Sequence, residues 1–156
     1  MKLAEALAER ADASRRVEQL RSRIVSNARY QEGEEPTEDA SALLAEVGDV
    51  LDHLELLIRR INRTNASTPF AAGMTLTDGL ARRDVLRLRH SVLTGAADAA
   101  AGREHGGYVR QLRSELRMLS ALPVAELRSQ ADQVARELRE LDVRIQQANW
   151  EVELIE

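Results

Sequence analysis

The sequence predicts an all-α fold, an antiparallel bundle or coiled coil of long amphipathic helices, with a short β-hairpin or extended arm at about residues 103–121. Three observations lead there. Hydrophobic residues make up 44% of the chain and charged residues 31%, while aromatic residues make up only 3%, a profile of helix rather than sheet. Apolar residues recur at alternating steps of three and four along most of the length. The stretches that break this pattern are short and rich in Gly or Pro. At 156 residues the chain fits one domain, long enough to bury a core without disulfides or metals.

The first helix is expected over about 2–29. Leu3, Arg10, Val17, Ile24 and Ala6, Ala13, Leu20, Asn27 form two interleaved seven-residue series, with Arg10 and Asn27 as off-pattern members. That is one helix about 35–40 Å long with a coiled-coil-like seam. Gln31-Glu32-Gly33-Glu34-Glu35-Pro36 then reverses the chain, and Thr37 or Asp39 caps the second helix. In that helix, about 38–64, Leu43, Val47, Val50, Leu54, Leu57 and Ile61 form the seam, and Leu44, Leu51 and Ile58 add a third row. A face this wide predicts contact with more than one neighbour.

Residues 65–76 carry no charge and contain Pro69 and Gly73, which end the second helix and make a connection. Thr75 with Asp78, or Thr77, caps a third helix over about 76–101, with Leu76, Leu80, Val85, Leu88, Val92 and Ala99 as core positions. Gly102, Gly106 and Gly107 interrupt it. Over 108–121 apolar and polar residues alternate as in a strand or hairpin arm, although 114–119 is also good helix sequence. From Pro123 the last helix, about 123–150, is the most regular. Val124, Leu127, Ala131, Val134, Leu138, Leu141, Ile145, Ala148, Val152 and Ile155 alternate by three and four without a miss.

Composition also narrows function. The chain has no Cys, which excludes disulfides, thiolate metal sites and cysteine nucleophiles. A net charge of −4 argues against a general nucleic-acid binder. No window approaches 18 consecutive apolar residues, so no membrane span is expected, and membrane contact has no support from the residues themselves. The opening residues mix charges from Lys2 onward and do not resemble a signal peptide, so the expected location is cytoplasmic.

Three polar clusters stand out as ligand-binding or interface candidates. Asn62, Arg63 and Asn65 lie in Ile61-Asn62-Arg63-Thr64-Asn65-Ala66, which either receives a small polar ligand or satisfies the carbonyls at a helix C-terminus. Arg83, Asp84 and Arg87 lie in a segment that packs four arginines into two turns, either an anion site or an Arg–carboxylate network. Asn149 and Trp150, the only Trp, could form a protein contact or cap the bundle against residues 62–66. His53, His90 and His105 have no i, i+4 partner of their own kind, so no metal site is expected. No nucleophile elbow, phosphate loop or dinucleotide motif occurs, so neither a catalytic residue nor a cofactor is expected and the chain reads as a non-enzyme.

Several segments together, MKLAEALAERAD, INRTNA, TLTDGLARRDVLRLR and ADQVARELRELDVRIQQANW, resemble a family of small, uncharacterised bacterial helical proteins known as septicolysin-like. The resemblance covers nearly the whole chain. It implies a membrane-active, cytolysin-like protein and brings no catalytic residues. From the residues alone the expected function is a non-enzymatic, self-associating helical scaffold or protein-interaction protein, a homo-oligomer whose other protein partners are unknown. The alternatives are the cytolysin and small-ligand binding at the 62–65/82–87 polar cluster.

Overall fold

The computed structural model describes residues 1–103 and 116–156. Four helices, α1 (Leu3–Asn27), α2 (Ala40–Ser67), α3 (Leu76–Ala100) and α4 (Val124–Glu151), are joined by loops and by a hairpin of β1 (Pro69–Ala71) and β2 (Met74–Thr75). The fold is mostly α with one short hairpin. The expected arm falls largely on residues 104–115, which lie outside the described residues. Its described part, 116–121, holds neither strand nor helix. The hairpin sits instead where a plain connection is expected, with Gly73 at φ +72° supplying the turn between strands. The chain divides into two compact units, residues 1–77 with 146–156, and residues 78–145.

The first unit is built on α1 packed against α2. Glu5 accepts a hydrogen bond from the Lys2 backbone N–H at 2.7 Å, closing the first turn of α1; lysine has no side-chain acceptor for the reciprocal bond. Asp39 caps α2 by accepting from the N–H groups of Ser41 (2.8 Å) and Ala42 (3.3 Å). Leu3, Ala6, Ala13 and Leu20 of α1 and Leu43, Leu57 and Ile61 of α2 are buried. Three polar pairs flank this seam: Glu9 with His53, Arg16 with Glu46, and Arg23 with Glu38. Glu9, Arg16 and Arg23 are spaced by seven, and their partners step back along the chain by seven and eight, as antiparallel heptads require. Each pair is half-exposed, so its role is to fix register rather than to supply much energy.

Asn27, off-pattern in the α1 seam, is a tie for the reversing loop. Its amide donates to the Arg23 carbonyl at 2.9 Å, and its oxygen accepts from the Glu38 N–H at 3.0 Å. Sequence periodicity ends α2 near residue 64, whereas the helix runs to Ser67. Along this last stretch hydroxyls bond backwards into their own helix: Thr64 to the Arg60 carbonyl, Ser67 to that of Arg63, and Thr68 to that of Thr64.

The second unit holds most of α3 and α4, which run antiparallel. Asp98 pairs with Arg128 near one end, and Arg82 and Arg87 pair with Glu137 and Asp142 towards the other. On α4 the expected seam is the inward one, with Ala131, Val134, Leu141 and Ile145 buried. On α3 the expectation holds at Leu76, which is buried, and at half-buried Leu80, and fails further along. Val85, Leu88 and Val92, read as core, are exposed by 54, 67 and 69%, and Ala99 is exposed too. The inward row of the second unit is Gly79, Arg83, Leu86, His90, Leu93 and Ala97, every one buried or half-buried. It has the same three-four spacing but two polar members, so a reading that follows apolar periodicity selects the opposite row.

The fold sets a contrast within α1. Leu20 is wholly buried and Val25 is 72% exposed. In urea unfolding, Leu20→Ala is expected to lower stability by about 2–5 kcal/mol, whereas Val25→Ala should stay within about 0.5 kcal/mol.

Candidate functional site

The polar cluster at the end of α2 divides by burial. Asn62 and Arg63 are exposed and Asn65 is half-buried, while Thr64 between them is fully buried. Thr64 continues the core row of Leu57 and Ile61, so its hydroxyl reaches the interior and needs partners there. It donates to the Arg60 carbonyl at 2.8 Å and accepts from the backbone N–H of Ile155 at 3.0 Å. The Arg60 guanidinium donates to the Ile155 carbonyl at 3.0 Å. One residue of the C-terminal tail is thus held at both its N–H and its C=O by α2.

The same tail is clasped by the N-terminus. Lys2 and Glu153 form an antiparallel bridge, in which Leu3 N–H donates to Val152 O and Leu154 N–H to Met1 O, both at 2.9 Å. Glu153 receives the Lys2 ammonium at 2.7 Å and the terminal amine at 3.2 Å, and Lys2 also donates to the Glu151 carbonyl. The hydrogen bond from Lys2, then that from the terminal amine, holds the Glu153 carboxyl below the usual carboxylate range. Arg23 acts on Glu38 in the same way. Arg60, Thr64, Lys2 and Glu153 do not stand out as candidates in the sequence; the available signal is Thr64, a hydroxyl standing in a row of buried aliphatics.

Asn149 is buried, whereas Trp150 is 62% exposed. Ile155 approaches the 62–66 cluster, through Thr64. In the second unit, Asp84 is shared by Arg83 at 3.2 Å and Arg87 at 3.8 Å, and Arg87 also approaches Asp142 at 3.6 Å. These arginines are engaged in an Arg–carboxylate network. Arg89 has no hydrogen-bond or ion-pair partner among the described residues and lines a shallow groove of about 490 Å³ with Ala81, Arg82, Val85, Leu86 and Glu137. Among the described residues no three or more His, Asp or Glu side chains are grouped to hold a metal, and no helix is long and apolar enough to cross a membrane.

The feature with the strongest physical demand is apolar surface. Ala81, Val85, Leu88, Val92, Gly95 and Ala99 form a row of alternating steps of four and three on the side of α3 opposite the inward row. On α2, Leu44, Leu51 and Ile58 are exposed by 56, 46 and 38%.

Residues 10–154 match the model of a family of unknown function, DUF6847. The chain belongs to that family. A crystal structure of a functionally unknown conserved protein from Corynebacterium diphtheriae is similar to it throughout, with 40% sequence identity, a TM-score of 0.91, and 99% of each chain covered. No curated protein matches the chain. The septicolysin-like assignment is therefore corrected: the family shown is DUF6847, and segments such as INRTNA and IQQANW lie within the residues its model matches. The membrane-active reading thereby loses the family label that suggested it.

The terminal clasp gives a pH dependence whose sign is fixed. A carboxyl held below its unfolded value contributes stability above the ordinary carboxylate pKa, and loses it as pH falls through the depressed one. Protection of the Leu3 and Leu154 amides from hydrogen exchange, corrected for intrinsic rate, should therefore fall on acidification below about pH 4.5. Glu153→Gln should flatten that dependence. Wild-type protection that is unchanged by acid would contradict the clasp.

Proposed function

We propose that this DUF6847 chain is a non-enzymatic helical scaffold that acts by self-association. The observation supporting this most strongly is the exposed row Val85, Leu88 and Val92 on α3, reinforced by Leu44, Leu51 and Ile58 on α2. Burying a Leu or Val side chain is worth about 1.5–3 kcal/mol, so leaving several on two ordered helix faces is costly unless another surface covers them. Arg83 and Arg87 beside this row are engaged by carboxylates, which favours a structural role for them over catalysis.

The net charge of −4 supports a protein partner over nucleic acid. The cysteine-free composition suits a reducing compartment, and cytoplasm is part of the proposal.

Size-exclusion chromatography with multi-angle light scattering at about 10–100 μM is the direct test, a range in which micromolar affinities register. A mass that is a multiple of 17.4 kDa is expected. A monomer across that range would sink the proposal.

A further inference from the structure

α3 has two seams, and the one turned outward is the more apolar. The outward row runs from Ala81 through Val85, Leu88, Val92 and Gly95 to Ala99 without a polar side chain. The exposed row on α2 is broken, because Glu55 and Asn62 continue the face that carries Leu44, Leu51 and Ile58. In heptad terms Val85 and Val92 occupy a positions, and Ala81, Leu88 and Gly95 occupy d. β-Branched residues at a with Leu at d favour two parallel strands.

We propose that this row is the seam of a parallel, in-register pairing between α3 and α3 of a second copy of the chain. The inference rests on the self-association reading and goes beyond it by naming the face, the direction and the register.

The flanking charges choose the direction. Arg82 and Arg89 lie on one flank at e positions, and Asp84 and Asp98 on the other at g. An antiparallel pair brings like flanks together, Arg against Arg and Asp against Asp. A parallel pair sets each g residue against the e residue of the following heptad, which places Asp84 opposite Arg89 twice by symmetry. Arg82, Arg83 and Arg87 have carboxylate partners within their own chain, and Arg89 has none among the described residues.

Gly95 adds an independent observation. Glycine inside a helix costs about 1 kcal/mol relative to alanine. Here a Cβ would meet nothing within 4 Å, so no packing inside the chain calls for its absence. On the outward seam, glycine lets a second helix approach closely.

The natural absence of cysteine allows a clean test. Val85→Cys and Val92→Cys, each prepared alone and oxidised, should each form a disulfide-linked dimer, since identical a positions of an in-register parallel pair lie within disulfide reach. Val25→Cys, on the exposed face of α1, should not. Arg89→Asp should weaken association about tenfold, by removing two symmetric pairs and introducing repulsion. Asp84→Arg combined with Arg89→Asp should recover it. Circular dichroism verifies that each variant remains helical.

The outcomes separate the two claims. A wild-type monomer overturns both. An oligomer in which Val85→Cys and Val92→Cys cross-link neither alone nor when mixed with Leu88→Cys overturns this seam and leaves self-association standing. Cross-linking only when Leu88→Cys is mixed with Val85→Cys or Val92→Cys, d against a, shows an antiparallel pair and overturns the proposed direction.

Discussion

A helix has more than one stripe, and only the stripe turned inward is protected from water by its own chain. On α3 that constraint has an unusual outcome, because the inward stripe includes Arg83 and His90 while the opposite one is apolar from Ala81 to Ala99. Within the second unit, buried Leu86 and Ala97 mark the phase of the helix. Leu76 is fully buried, and its N–H is held by the Thr68 carbonyl at 2.9 Å, directly after the β1–β2 hairpin. Steps of three and four from Leu76 lead to Gly79, Arg83 and Leu86. With Leu86 and Ala97 turned inward, Val85, Leu88 and Val92 emerge on the other side. The assembly reading depends on that phase.

Within the first unit the same physics gives a closed result. The α1–α2 seam is aliphatic, its flanks carry polar pairs spaced by heptads, and its polar ends are satisfied. Thr64 extends the core row by one hydroxyl and uses it to hold the tail. Arg60 and the Lys2–Glu153 bridge then secure neighbouring residues. The groups that look most chemical in the first unit are thus engaged in holding the chain termini.

Much of the helical framework is legible in the sequence because its signals are local. Gly33 and Pro36 separate α1 from α2, Asp39 has the side chain to cap two free N–H groups, and the α4 seam repeats without interruption. The hairpin is not legible, since Pro69 and Gly73 signal a break without specifying that Pro69–Ala71 and Met74–Thr75 will pair. Asn27 and Thr64 mislead in the same sense: each is a polar residue in an apolar register, and one of its two partners lies outside the helix that carries it. The phase of α3 escapes for a different reason. Both of its rows obey helical spacing, and hydrophobicity alone prefers the wrong one. As for the candidate site, Arg83, Asp84 and Arg87 are neighbours in sequence, so their network can be anticipated. The tail clasp joins residues about 90 to 150 positions apart and cannot.

We propose that a second copy of the chain stabilises the folded state by covering the outward stripe of α3. For such a protein the unfolding temperature depends on concentration, because association stabilises only the folded form. Thermal unfolding followed by circular dichroism from about 1 to 100 μM is the most direct measurement. The midpoint should rise by about 3–5 °C over that hundredfold range. A midpoint independent of concentration would contradict the account.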